Sequence, residues 1–241
     1  MNPTISHLIF HLFTEELLIM DQLFLVRLFA YSLFPLLLAM AHIIFDRNIK
    51  TTVQQIEVFL VYILAISVGA NGIGGAFGHL FLSDIVAEGI GWTAGSPFQL
   101  EMGFANLTVG VLGVMAMSRH DGFRTATIIA TTIIGVGATG VHVVDIVSHG
   151  NMSPGNTIQN IANLLDPILL TSLAFWASRK TDYDNNVDTT AYHQWNSRLQ
   201  LIAGLTAAGI GTGFGIGFAL DNPLLGTIVI GCGGAFVGVV M

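Results

Sequence analysis

The sequence predicts an all-α, polytopic transmembrane helical bundle of about seven spans, and three observations carry that prediction. The first is composition: of 241 residues, 53% are hydrophobic and only 10% charged, with a mean hydropathy of +0.72. A soluble domain carries about a quarter charged residues. The second is recurrence, because apolar runs long enough to cross about 30 Å of hydrocarbon follow one another along the whole chain. The third is the placement of the eight basic residues. All but Arg27 fall after the first, third and fifth apolar runs, as Arg47, Lys50, Arg119, Arg124, Arg179, Lys180 and Arg198. The connections around 83–96, 148–156 and 221–222 hold none. Positive charge marks cytoplasmic connections. The N-terminus is therefore expected outside, and the C-terminus inside, in a multi-pass protein of the cytoplasmic membrane.

Residues 1–21 contain no Lys or Arg but carry Glu15, Glu16 and Asp21, with no small-residue cleavage pattern. They do not read as a signal peptide. Ile5, Leu8, Ile9, Leu12 and Phe13 recur at helical spacing, which suits an amphipathic segment on the membrane surface or against the first span. Five spans over 22–45, 55–82, 97–117, 124–147 and 157–178 make a membrane core at 22–178. Thr52 and Gln55 read as a capping box before the second span. Ser96-Pro97-Phe98-Gln99 reads as an N-cap, a first-position proline and a capping-box glutamine before the third.

Residues 179–198 read as a cytoplasmic linker, with Asp182, Asp184 and Asp188 among basic neighbours. A glycine-rich hairpin at 199–241 follows, in two spans over 199–220 and 223–241, the second opened by Asn222-Pro223. Gly209, Gly213 and Gly217 form one ladder; Ala207, Gly211, Gly215 and Ala219 form another; Gly226, Gly234 and Gly238 lie on the last span. Such ladders let backbones approach closely. The stretch 204–238 is expected to pack on itself or the core, or to contact a second copy or another membrane subunit.

Five ionisable residues lie inside or at the mouths of apolar spans: His79, Glu101, His142, Asp145 and Asp166. Ionisable groups in hydrocarbon are costly unless paired, hydrated or ligated. The charge asymmetry puts all five in the outer leaflet. His142, Asp145 and His149 fall within about 60° of each other on a helix, and Asn156, Gln159, Asn163 and Asp166 within about 80°. The second stripe stops at Asp166, which predicts a pocket open to the outer face and ending partway down. On the third span Gln99, Gly103, Asn106 and Gly110 share a face that Glu101 does not. The partner of Glu101 stays open, with Arg27 near the same end of the first span as one candidate.

Three chemistries suit this set. A divalent metal would take His79, His142, Asp145 and His149, although the Glu-x-x-His pairs of di-iron bundles are absent. A b-type haem would take His79 and His142 as axial ligands. A proton-coupled site for a small polar ligand would use His79, His142 and Asp145 as carriers, Glu101 and Asp166 as charge partners, and Asn106 and Asn163 as orienting groups. The plain alternative makes His79 and His149 interfacial and leaves His142 and Asp145 as interhelical hydrogen-bonding residues. The expectation is a metal-binding or proton-coupled small-ligand site. A haem- or quinone-linked redox protein, or a structural or assembly subunit, stands as the alternative. Whether the chain is an enzyme stays open.

Other classes are excluded by residue counts. A net charge of −7 without a basic patch argues against nucleic acid. The single cysteine, Cys232, leaves no intrachain disulfide or multi-Cys cluster. Lys50 and Lys180 are the only lysines, so a retinal Schiff base in the last span is ruled out. No Walker loop appears, and Ser148 sits in no nucleophile motif. The rear hairpin lacks the membrane-embedded carboxylate of a rotary-ATPase rotor subunit, since Asp221 lies at its turn.

Three stretches carry a family resemblance: GGAFGHLF at 74–81, IGWTAGSPFQLEMGFANL at 90–107, and GVHVVDIVSHGNMSPGN at 140–156 followed by Asp166-Pro167. From about Ser67 to Pro167 the chain resembles a family of small multi-pass membrane proteins, mostly prokaryotic, classed as a domain of unknown function. The resemblance implies a four-helix core with His79, Glu101, Asn106, His142, Asn156 and Asp166 in its motifs, and it implies no activity. A more distant likeness to DoxX-like four-helix membrane proteins implies, for some of those, quinone or sulfur redox chemistry. The first span and the rear hairpin lie outside the resemblance.

Overall fold

The computed structural model describes residues 21–181, 196–208 and 210, and among these residues every regular element is a helix. The expected segment 1–20, most of the linker and nearly all of the rear hairpin, including the 204–238 ladders beyond 210, lie outside the described residues. In chain order the helices are α1 (Asp21–Phe45) and α2 (Thr52–Phe81), then α3 (Ser83–Ile90) and α4 (Phe98–Ala116). Next come α5 (Gly122–His149), α6 (Pro154–Thr181) and α7 over 196–208. Helices α1, α2, α4, α5 and α6 are long and apolar enough to cross a membrane.

Helix α2 is the axis of the bundle. Its most apolar stretch is 78% buried, against 22–28% for the other four. The cause is visible in its residues. Ile56, Leu60, Ile63 and Leu64 pack on one side with Ala116, Ile128 and Leu170 of α4, α5 and α6. Val58, Val61, Tyr62, Ala65 and Ile66 pack on the other with Ala30, Tyr31 and Ala39 of α1 and Leu199, Ile202 and Ala203 of α7. A helix that is apolar all round belongs in the middle of other helices. The surrounding helices turn large apolar side chains outward, among them Phe45, Phe104, Ile133, Val147 and Phe175. A surface of that kind suits lipid and would be a liability in water.

Two helices carry π-helical turns, at Phe29–Leu33 in α1 and Ile63–Ala70 in α2. Such turns are rare and gather at functional sites. Helices α2 and α4 approach backbone to backbone where Gly72 faces Gly110. A Cβ on Gly72 would sit 2.7 Å from the Gly110 Cα, and one on Gly110 2.6 Å from the Ile73 amide nitrogen.

The helix starts correct two expectations. The capping box of α2 is made by Thr51 and Gln54, one residue before the expected pair: Thr51 Oγ1 accepts the Gln54 N–H at 3.2 Å, and Gln54 Oε1 accepts the Thr51 N–H at 3.1 Å. Before α4, Ser96 Oγ accepts the Phe98 N–H at 3.3 Å. The Gln99 side chain does not close a box there, because it is engaged by His79. Helix α5 is capped by Asp121, whose carboxylate accepts the Phe123 N–H at 3.0 Å. The hydrogen bond from Arg119 holds the Asp121 carboxyl below the usual carboxylate range. The connection expected at 83–96 contains a helix, α3, which ends at Gly91 with φ of +79°.

Candidate functional site

A polar cavity of about 100 Å³ lies between the five long helices, and each of them contributes to it. Arg27 comes from α1, Ser67 and Asn71 from α2, Asn106 from α4, Thr131 from α5, and Gln159, Asn163 and Asp166 from α6. The two π-helical turns build much of this site. Ser67 lies within the α2 turn, and Asn71 follows it directly; Arg27 precedes the α1 turn, which contains Ser32.

Arg27 donates from Nε and Nη2 to Asn71 Oδ1, at 3.2 and 3.0 Å. Asp166 is buried, and its Oδ2 accepts the Ser32 hydroxyl at 3.3 Å. Its Oδ1 has no hydrogen-bond partner among the described residues, and the same holds for Ser67 Oγ and Thr131 Oγ1. Gln159 Nε2 donates to Asn163 Oδ1 at 3.3 Å. Buried polar atoms are normally satisfied, so three unpartnered ones around one small cavity form a concentrated exception. The cavity thus holds one guanidinium and one carboxyl that bond to different neutral partners.

The other sequence candidates fall elsewhere. Asp145 is the hub of a second polar cluster, at the end of the bundle bearing the α5–α6 turn. Its Oδ2 accepts Trp92 Nε1 at 2.8 Å and Asn151 Nδ2 at 2.7 Å, and its Oδ1 lies 2.9 Å from His149 Nδ1. His142 is buried, lies 2.6 Å from Asn156 Oδ1 through Nδ1, and stacks on the Trp92 ring at 5.4 Å. Asn151 Nδ2 also donates to the Ile90 carbonyl at 2.9 Å, and Asn156 Nδ2 to the Asn151 carbonyl at 2.7 Å. The segment after α3 passes so close to Asn151 that a Cβ on Gly91 would lie 2.5 Å from Asn151 Oδ1. These contacts staple the α3–α4 segment to the α5–α6 turn.

A smaller latch joins α2 to α4, with His79 Nδ1 2.7 Å from Gln99 Oε1. The three sequence stretches that carried the family resemblance meet in these two contacts. Glu101 is exposed, and its candidate partner Arg27 turns to Asn71 instead. The four expected metal ligands are held by neighbours of different kinds. Among the described residues no three His, Cys, Asp or Glu side chains come together to hold a metal ion.

Sequence reasoning missed one feature entirely, at the opposite end of the bundle. Arg124, expected in a loop, is buried in the first turn of α5 and grips Glu57 of α2. It also donates to the Ala116 and Met117 carbonyls, each at 3.1 Å. His120 Nδ1 lies 3.6 Å from Glu57 Oε1, and its Nε2 lies 2.7 Å from Asn196 Nδ2 at the start of α7.

The match of a family model to residues 26–182 shows that the chain belongs to a family of unknown function, DUF6790. That match takes in α1, which the resemblance over 67–167 left out. No curated protein and no solved structure matches the chain.

Proposed function

We propose that this member of DUF6790 is an integral protein of the cytoplasmic membrane whose core carries a proton-coupled site for a small polar ligand, with Asp166 as the proton-carrying group. The observation that carries the reading is Asp166 itself: a buried carboxyl with one oxygen unpartnered among the described residues, sharing a cavity with Arg27 yet hydrogen-bonded to Ser32. A carboxyl deep in apolar helices is costly and, where it is kept, serves proton or ion chemistry. Asn106 and Asn163 serve as orienting groups, joined by Asn71, Ser67 and Thr131.

His142, Asp145 and His149 then staple a cap over the outer end of the bundle rather than hold a metal, and His79 latches α2 to α4. This reading keeps the expected orientation, with the stapled end outside, and the expected seven spans. The buried packing of Leu199, Ile202 and Ala203 on α1 and α2 supports a rear hairpin that packs on the core.

The test is the carboxyl region of the infrared spectrum of purified protein in lipid, followed across pH. The reading expects a protonated-acid carbonyl band that titrates and is absent in Asp166→Asn. A spectrum left unchanged by Asp166→Asn would remove Asp166 as the proton carrier.

A further inference from the structure

We infer that the cavity takes up a small monovalent anion together with a proton, the anion at Arg27 and the proton on Asp166. The inference rests on the reading of Asp166 as the proton carrier and adds the ligand class and the coupling.

The argument is one of charge. Arg27 and Asp166 are the only ionisable groups among the described residues that line the cavity. Ser67 and Asn71 of α2, Asn106 of α4 and Thr131 of α5 bring no charge to it. Beyond the lining, Tyr31 on α1 and His79 on α2 are titratable groups that feel the Arg27 charge. An ionised Asp166 balances Arg27, so the cavity is neutral when it holds neither proton nor anion. A proton on Asp166 alone leaves one uncompensated positive charge; an anion alone leaves one negative charge. Both half-filled states place a net charge inside apolar helices, where it is expensive. Proton and anion together restore neutrality. The two filled-or-empty states are thus favoured over the mixed ones, and binding of one ligand promotes binding of the other.

Geometry agrees with an anion. Arg27 uses Nε and Nη2 on a single neutral acceptor, Asn71 Oδ1. A guanidinium has five N–H donors in a planar fork, so Arg27 keeps donors for a second partner. Ser67 Oγ and Thr131 Oγ1, unpartnered among the described residues, are hydroxyls able to donate to the same ligand. Asp166 Oδ1 is the matching seat for the proton. The cavity of about 100 Å³ has room for a few waters or one ion of a few heavy atoms. A divalent anion would overshoot the charge balance. Formate, nitrate and chloride are the probes of choice.

The experiment measures binding of each probe to the full chain in lipid by titration calorimetry, with proton uptake read in weak buffer. At a pH where Asp166 is ionised before the anion arrives, the expected result is about one proton taken up per anion, with an affinity that falls about tenfold per pH unit over that range. Asp166→Asn, neutral at every pH, should bind the anion with an affinity that no longer depends on pH. Arg27→Gln should lose anion binding while the Asp166 infrared band still titrates; Arg27→Lys should keep binding. If Arg27→Gln fails to fold, the loss of pH dependence in Asp166→Asn decides. Anion binding without proton uptake, undiminished binding in Arg27→Gln, or no binding of any probe while the Asp166 band titrates would each overturn the inference and leave the proton-carrier reading standing. An Asp166 band that does not titrate would bring down both.

Discussion

Arg124 and Glu57 form a buried, two-pronged ion pair across the start of the central helix, Nη1 to Oε2 at 2.7 Å and Nη2 to Oε1 at 2.9 Å. Arg124 also donates from Nε to the Ala116 carbonyl and from Nη2 to the Met117 carbonyl, at the end of α4. One side chain therefore ties α2, α4 and α5 together. Removing one partner leaves the other charged and buried, which destabilises by about 3–5 kcal/mol. Glu57→Gln and Arg124→Gln should each lower the unfolding midpoint in detergent strongly, and the double variant should cost less than the sum of the two. Additive losses would show that the two side chains do not act as a pair.

The α2–α4 contact predicts opposite outcomes for two glycine substitutions. Gly110→Ala places a methyl 2.6 Å from the Ile73 amide nitrogen, so the helices must separate. Overpacking of this kind costs about 1–3 kcal/mol. Gly137 in α5 has no described atom within 4 Å of the position a Cβ would take. Gly137→Ala should be neutral or stabilise by up to about 1 kcal/mol through the unfolded chain. Thermal unfolding of both variants checks the contrast. A tolerated Gly110→Ala would mean that α2 and α4 do not meet at Gly72.

Trp92→Phe keeps a ring to stack on His142 but removes the indole N–H that Asp145 accepts at 2.8 Å. The lost bond is charge-assisted and is one of those that hold the α3–α4 segment to Asp145. Amide hydrogen exchange over 83–97 should therefore quicken, while exchange in the middle of α2 stays slow. Equal protection of 83–97 in the variant would refute the staple.

These relationships also mark how far the sequence is legible. Composition and apolar recurrence are properties of each helix alone, and they place α1, α2, α4, α5 and α6 to within a few residues. The Asn163–Asp166 stripe is legible for the same reason, because both residues ride one helix. Arg27, Ser67, Asn71 and Thr131 join them only through packing, and the π turns at Phe29–Leu33 and Ile63–Ala70 shift helical phase just where the cavity forms. Glu57 and Arg124 are 67 residues apart, so no local pattern links them. The charge rule reads Arg124 as a loop residue because it counts charge and not burial. His142 and Asp145 do share a face as spacing predicts. Their partners Trp92 and Asn151 lie in connections, where periodicity carries no information, and Asn156, placed by spacing in the Asp166 stripe, turns at the start of α6 to His142 instead. The α2 box shifted by one residue because Thr51 and Thr52 are chemically equivalent caps and only the backbone chooses between them.

The central claim is that Asp166 changes protonation inside a cavity shared with Arg27. Solid-state NMR of the full chain in bilayers, with aspartate carboxyls isotopically labelled and the Asp166 resonance assigned by its loss in Asp166→Asn, tests it most directly. The account predicts that this resonance titrates as one group and that its midpoint moves when formate is added. A resonance that keeps one protonation state throughout, with and without formate, would contradict it.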